Sequence, residues 1–413
     1  MRVAIFTDTY SPDINGVVTS VRILEEELKK NKHEVYIVTS SNNTRITREG
    51  NLIKLPGISI KKLYGYNLSG FYSRNVIQYL HNLDLNIIHA HTEYGVGIFA
   101  RIAARQLDIP LVYTYHTMYE DYTHYVTKYT NGHFEKPLKK LIDTGTKFYA
   151  DNTTELIVPS FKTADALLRY GVNNTINVIP TGIDLSKFKK DLYTEEQLQE
   201  VRNAYNIKKD DFVVINIGRI APEKNTDEIV KAFIEIKKQN INNVKLLIVG
   251  DGPSLETIKK MIVDNKLEEI VYTVGKVVHE KVAMMYQCAN VFVSTSTSET
   301  QGLTFIEAMA SGLPVICRYD KNLESLVIED KTGYYIDSYN ELASKILQLS
   351  NIDKQTYEKL VENALNKSTE YSSELFYKQI MVVYNNAIRN LRSKKIKNNN
   401  IQNKIAIKNK KIL

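Results

Sequence analysis

The chain has 413 residues, 43% of them hydrophobic and 24% charged, the composition of a globular protein with room for two domains. No apolar run approaches the ~18 residues of a membrane span, and the two cysteines, Cys288 and Cys317, fall in apolar contexts and make neither a disulfide framework nor a metal cluster. The net charge of +7 is uneven: residues 1–180 hold 20 Lys and Arg against 17 Asp and Glu, residues 181–388 hold 25 against 30, and residues 389–413 hold 9 against none, so the C-terminal tail alone makes the protein basic.

The N-terminus, Met1 to Phe6, enters a strand directly and lacks the longer apolar region and cleavage site of a signal peptide, which points to the cytoplasm. Short buried strands are predicted at Arg2–Phe6, Glu34–Val38, Asn86–His89, Leu111–Tyr115 and Leu156–Val158, with helical patterns such as Val18–Lys30 and Gly97–Leu107 in the intervals. This is the rhythm of a parallel α/β sheet. A second series starts at Phe212–Ile217 and continues through Val244–Val249, Ile270–Thr273, Val291–Ser294 and Val315–Cys317. The turn-rich Ile179-Pro-Thr-Gly-Ile-Asp184 separates the two series. The reading is two Rossmann-like doubly wound domains, residues 1–185 and 186–372, facing across a cleft. A C-terminal helix covers 373–390 and a basic tail 391–413. Doubly wound sheets bind ligands at the carboxyl ends of their strands.

Taken in order, those strand ends carry the polar residues. After the first strand, Asn15-Gly16-Val17 precedes a helix, and Gly16 permits close backbone approach, or simply makes the turn. His89 and His91 follow the third; an i, i+2 pair with no third ligand is no metal site. His89 is expected to point into the fold, and His91 is read either as structural or as a site residue. His116 follows the fourth strand, with Tyr119, Asp121 and Tyr122 as candidate acceptor-pocket residues. In the second series, Gly218-Arg219-Ile-Ala-Pro-Glu223-Lys224 is a glycine and two cations, which serve either a phosphate or a helix-start salt bridge to Glu223. Gly250-Asp-Gly252-Pro253 ends the next strand, with Pro253 at a helix start. Gly275-Lys276-Val277 ends another.

The most informative stretch is Val291 to Cys317, read as strand, loop, helix, strand. Glu299 lies on the loop and Glu307 about one turn inside the helix. The backbone N–H groups from Gln301 through Gly302 and Leu303 to Thr304 have no intrahelical partners and point out where the macrodipole is positive. That is an anion site. An acid on each side suits a ligand with phosphate at its centre and hydroxyls at both ends, such as a nucleotide sugar.

Glu299-x7-Glu307 with Gly302-Leu303 resembles the signature of retaining glycosyltransferases of family 4, which have the GT-B fold. Gln301 departs from the Phe often found there. The form Ser298-Glu-Thr-Gln-Gly-Leu-Thr-Phe-Ile-Glu307 is closer to the diacylglycerol glucosyltransferases of that family. The resemblance covers nearly all of residues 1–388. It implies that Gly16 and Val17 meet the donor diphosphate through their N–H groups, and that Gly218, Arg219 and Lys224 form the donor-phosphate element. Gly250 and Gly252 then approach the nucleotide, and Val277 holds the base. Glu299, Thr300, Gln301, Gly302 and Leu303 line the sugar and diphosphate, Glu307 binds the ribose, and His116 lies at the donor sugar and supports the developing cation. The C-terminal helix is expected to return toward the first domain.

No Asp-x-Asp lies at a strand end in an apolar context, so cations and a helix start are expected to take the place of a metal, and no cofactor is expected beyond the donor substrate. The resemblance favours UDP-glucose as donor and diacylglycerol as acceptor, with retention and with the leaving phosphate taking the acceptor proton. Another acceptor, such as phosphatidylinositol, a capsule intermediate or a soluble sugar, stays open, as do a UDP-sugar epimerase and a non-catalytic binder. A nicotinamide enzyme is disfavoured, because neither half shows Gly-x-Gly-x-x-Gly after its first strand with an acid ~20 residues on. The tail cations Arg392, Lys394, Lys395, Lys397, Lys404, Lys408, Lys410 and Lys411 interleave with Ile401, Ile405, Ile407, Ile412 and Leu413. They suit an anionic bilayer, as does Pro137–Phe148 with Lys136, Lys139, Lys140 and Lys147; a solvated face or a disordered tail is the alternative. The expected location is peripheral, on the inner face of the cell membrane. Nucleic acid is not expected as a partner: only Tyr384 lies near the tail and no recognition motif is visible.

Overall fold

The computed structural model describes residues 1–13, 15–59, 67–70, 72–116, 135–189, 192–297, 299 and 301–410, with backbone alone at 58–59, 67–68, 135–139, 141–142, 279 and 394–410. The chain forms two compact units, Met1–Gly182 together with Ser373–Leu413, and Ile183–Ser372. The sequence placed this division three residues later, at 185/186.

In the first unit the strands are β1 (Arg2–Thr7), β2 (Glu34–Ser41), β3 (Thr47–Glu49), β4 (Leu52–Ser59), β5 (Asn67–Ser69), β6 (Ile87–Ala90), β7 (Leu111–Thr114), β8 (Glu155–Val158) and β9 (Ile176–Val178). Its helices are α1 (Gly16–Lys30), α2 (Arg74–Asn82), α3 (Gly95–Leu107), α4 (Glu135–Asp151) and α5 (Phe161–Arg169). The sheet order is β3-β4-β2-β1-β6-β7-β8-β9, parallel except at β3 and at β5, both antiparallel to β4. Alternate residues of each central strand face opposite layers. Ala4, Phe6, Ile88 and Tyr113 enter one core, while Val3, Ile5, Ile87 and Val112 enter the other. Burial on both faces is why these strands read as nearly continuous apolar runs.

The second unit continues with α6 (Glu195–Ala204), β10 (Phe212–Ile217), α7 (Thr226–Lys238), β11 (Val244–Val249), α8 (Leu255–Asp264), β12 (Val271–Gly275), α9 (His279–Gln287) and β13 (Val291–Ser294). It ends with α10 (Leu303–Ala310), β14 (Val315–Arg318), β15 (Gly333–Ile336), α11 (Tyr339–Ser350) and α12 (Lys354–Ser368). Its sheet is parallel throughout, in the order β12-β11-β10-β13-β14-β15. The chain winds outward from β10 to β12, then crosses back to β13 and winds the other way. The switch point therefore lies at β10 and β13, where the loops leaving the two strands diverge.

The last helix, α13 (Ser373–Lys410), packs into the first unit: Phe376, Ile380, Val383, Tyr384 and Ala387 join the core that holds Val3, Ile5, Val21 and Leu24. The sequence ended this helix near 390; the structure carries it twenty residues further. Residues 391–410 contain neither Gly nor Pro, so nothing local stops it.

Candidate functional site

Three strand ends of the second unit, those of β10, β11 and β12, converge through backbone contacts. The Gly218 N–H donates to the Val249 carbonyl at 3.0 Å, the Gly250 N–H to the Gly275 carbonyl at 2.9 Å, and the Ile220 N–H to the Asp251 carbonyl at 3.0 Å. A Cβ on Gly250 would lie 1.8 Å from the Gly218 oxygen, and one on Gly252 2.2 Å from the Ile220 oxygen. The sequence reading gave these two glycines to a ligand. In the structure the close approach they permit is that of one loop to another. Gly218 differs, since a Cβ there would meet nothing within 4 Å among the described residues. Val277 is half-buried against the core that holds Tyr286 and Phe292.

Across the switch point, the turn Pro222–Lys224 after β10 is stitched to the loop after β13. The Thr295 hydroxyl donates to the Asn225 carbonyl at 2.8 Å, and the Asn225 amide donates to the Thr295 carbonyl at 3.3 Å. This brings Lys224 to Glu299: Nζ lies 2.8 Å from Oε1 and 3.2 Å from the Ser296 hydroxyl. Arg219 pairs with Glu223, the salt bridge that the sequence offered as the alternative to a phosphate role, and its side chain stays 40% exposed. The Glu299 carbonyl is held from behind by the amide of Asn322, which is buried. Asn322 and Ser296 were not singled out in the sequence; a polar residue in a turn carries no signal of what it will hold.

The helix α10 begins at Gly302, whose φ of +77° places it in the left-handed region. A Cβ there would lie 2.7 Å from the Leu323 side chain. No described side chain caps this helix start, so the N–H groups at Leu303 and Thr304, a few residues along the chain from Glu299, have no intrahelical partner. Gln301 is buried and Leu303 half-buried. Thr300 and Ser298 lie outside the described residues.

Glu307, one turn into α10, meets the Tyr286 hydroxyl at 3.1 Å, and that hydroxyl also lies 3.2 Å from the Thr304 carbonyl. Burial pushes the Glu307 carboxyl up to about 7, the Tyr286 bond pulling weakly the other way. A carboxyl whose folded value lies above its unfolded one (about 4.3) favours folding while protonated. That contribution is lost as pH rises toward 7. Glu307→Gln is therefore expected to stabilise the ligand-free protein at pH 8 by on the order of 2 kcal/mol and to change it little at pH 5. Urea unfolding at the two pH values checks this; equal effects at both would contradict it.

In the first unit, Asn15 is the N-cap of α1, its side chain accepting the Val18 N–H at 3.0 Å. Gly16 follows it, exposed, with nothing among the described residues within 4 Å of a Cβ, and Val17 is half-buried. Three histidines stack at the ends of β6 and β7. His89 is fully buried, with Nδ1 2.8 Å from the Tyr384 hydroxyl and Nε2 2.7 Å from the Thr114 hydroxyl. His91 is buried too, its ring centroid 4.1 Å from that of His89 and 5.1 Å from that of His116. His91 Nδ1 meets His116 Nε2 at 2.9 Å. His116 is half-buried. Burial lowers all three rings, His116 to about 4 and His89 to about 3, so each is neutral at pH 7. Tyr119, Asp121 and Tyr122 lie outside the described residues.

Among the described residues no group of three His, Cys, Asp or Glu is placed to hold a metal ion, and no helix is long and apolar enough to cross a membrane. The first unit's α4 and α5 expose Phe148, Phe161 and Leu168. Arg101 stacks over the Phe148 ring at 4.9 Å, and Lys140 is exposed. Lys147 is instead engaged by Asp151 at 2.6 Å. The side chains of Lys136, Lys139 and the tail cations from Lys394 onward, with Lys411, Ile412 and Leu413 entire, lie outside the described residues.

Residues 14–187 match the family described as Glycosyltransferase Family 4, and residues 198–367 match that described as Glycosyl transferases group 1. The chain is 36% identical over 387 residues to the alpha-monoglucosyldiacylglycerol synthase of Acholeplasma laidlawii, covering 93% of this chain and 96% of that one. It is 33% identical to the synthase of the same name from Streptococcus pneumoniae (strain ATCC BAA-255 / R6), covering 94% of this chain and 86% of that one. Among solved structures, Anabaena HepE in complex with UDP superposes with a TM-score of 0.71 at 17% identity, over 93% of this chain and 99% of that one, a likeness of fold.

Proposed function

The chain belongs to glycosyltransferase family 4 and has the GT-B fold, and from that premise we propose that it transfers glucose from UDP-glucose to 1,2-diacylglycerol, with retention, at an anionic membrane surface. The observation that carries the chemistry is the Lys224–Glu299 contact of 2.8 Å beside the uncapped start of α10. It puts a cation, a carboxylate and free amides at one switch point. A nucleoside diphosphate has the complementary parts: negative oxygens for the cation and amides, sugar hydroxyls for the carboxylate. The names of the two synthases support the choice of donor sugar and acceptor.

In this reading the bond from the sugar's anomeric carbon to the diphosphate oxygen breaks through an oxocarbenium-like state. The acceptor oxygen bonds to the same face, and its proton passes to the departing diphosphate. Lys224, drawn off Glu299, and Arg219 stabilise the growing negative charge together with the α10 amides. Glu299 holds sugar hydroxyls and Glu307 the ribose. His116, neutral, attends the donor sugar. These cations and amides take the place of a metal at the diphosphate.

The acceptor side rests on charge. The first unit exposes Phe148, with Arg101 stacked over it, Phe161 and Lys140, and residues 389–413, most of them in α13, carry nine cations and no acids. Each cation near an anionic leaflet is worth about 1 kcal/mol. The protein is expected to sediment with phosphatidylcholine vesicles only when phosphatidylglycerol is included, and to be released by high salt. Equal sedimentation with both vesicle types would remove the membrane reading. Labelled UDP-glucose supplied with diacylglycerol in mixed vesicles tests the reaction, with a monoglucosyl lipid of alpha configuration as the expected product. Consumption of donor without acceptor, or binding without turnover, would overturn it.

A further inference from the structure

His91 poses a question of residue choice. Its ring is buried, stacked on His89 at 4.1 Å and on His116 at 5.1 Å, and among the described residues its Nε2 has no hydrogen-bond partner. A phenylalanine would fill the same space without leaving a buried polar atom unsatisfied, which is costly in itself. What histidine adds at this position is one contact, Nδ1 to His116 Nε2 at 2.9 Å. Beneath it, His89 is fixed at both nitrogens by the hydroxyls of Tyr384 and Thr114, so the column has a rigid base.

The protons of the upper pair follow from this. Both rings are neutral, so one nitrogen of the contact donates and the other accepts. If His91 carried its proton on Nε2, a buried N–H would be orphaned, the rarer and costlier defect. With the proton on Nδ1, only a bare lone pair is left unpaired. His91 Nδ1–H therefore donates, His116 Nε2 accepts, and the His116 proton sits on Nδ1. The ring nitrogen that His116 keeps for a ligand is then a donor.

We propose that His91 is a positioning residue that locks His116 in the Nδ1–H form, so that His116 donates a hydrogen bond to an oxygen of the donor sugar. This deepens the role given to His116 above and rests on that reading. It replaces support of a developing cation by a lone pair, since the lone pair is spent on His91.

The test is independent of turnover in its first arm. Long-range proton–nitrogen spectra of the labelled full chain, which has eight histidines, assign the His116 tautomer by comparison with His116→Gln. The wild type is expected to show Nδ1–H, and His91→Phe, which keeps the stack but loses the bond, a shift to the Nε2–H form that imidazoles prefer in water. In the second arm, His91→Phe lowers kcat by about 100-fold and leaves the KM for UDP-glucose within roughly twofold. His91→Asn, whose amide can donate from the place of Nδ1, recovers most of the loss. A wild-type His116 in the Nε2–H form overturns the proposal, as does unchanged kcat in His91→Phe, or His91→Asn no better than His91→Phe at equal melting temperature. Should the wild type fail to glucosylate diacylglycerol, the acceptor reading falls while the spectra still decide this one.

Discussion

Replacing Lys224 by alanine lowers kcat for glucosyl transfer by about 100- to 1,000-fold, the loss of roughly 3–4 kcal/mol of transition-state stabilisation. The reason is differential. In the free protein the Lys224 amine already has Glu299 and Ser296 as partners, so it is held in place before substrate arrives. The diphosphate gains charge only as the glycosidic bond breaks, and a fixed cation acts most strongly on that gain. UDP affinity is therefore expected to fall much less than kcat. The variant also strips Glu299 of its cation, and an effect of that kind must be separated. The double variant Lys224→Ala with Glu299→Gln does so. If Lys224 served only to hold Glu299, the double variant would be no slower than Glu299→Gln alone. The account expects it to be slower by a further large factor, measured by steady-state transfer with labelled UDP-glucose.

Gly250→Ala is expected to cost about 3–5 kcal/mol of stability, a large part of what a domain has. The added carbon would sit 1.8 Å from a backbone carbonyl oxygen at Gly218, and no flexible side chain is there to move aside. The loops after β10 and β11 must part, taking the Gly218 N–H from Val249 and the Ile220 N–H from Asp251. Gly16→Ala is the contrasting case. Its site is open and its φ is not in the left-handed region, so the substitution leaves the melting temperature unchanged or slightly raised, as for Gly to Ala in a helix. If Gly16 meets the diphosphate, the same variant weakens UDP binding. Thermal unfolding and calorimetric titration with UDP read both effects. A stable Gly250→Ala protein would contradict the loop-packing account.

These two glycines show what the sequence could and could not convey. Glycine after a strand signals a close approach, and both positions were marked for one, but the residue does not say what approaches. The buried strands were legible because both faces of a parallel sheet are covered, which makes β1, β10 and β11 mostly apolar runs, broken inside only by Asn216 in β10 and Lys245 in β11. β4 was missed: it carries Pro56 and Gly57, both discouraging in a strand, and Pro56 falls at its final register with β2. Lys224 and Glu299 were each marked at the end of their own strand. Their contact depends on β10 and β13 being neighbours, a fact of sheet order that spacing along the chain does not hold. Tyr286 and Asn322 were missed for a related reason. On α9 Tyr286 reads as one more core aromatic, and only the fold brings its hydroxyl to Glu307.

The central claim is that the start of α10 with Lys224 and Arg219 holds a diphosphate. A crystal structure of the protein with UDP tests it most directly. The account predicts the distal phosphate in hydrogen-bonding reach of Lys224 Nζ and of the Leu303 and Thr304 amides, with Lys224 drawn away from Glu299. A diphosphate seated elsewhere, with the Lys224–Glu299 pair undisturbed, would contradict it.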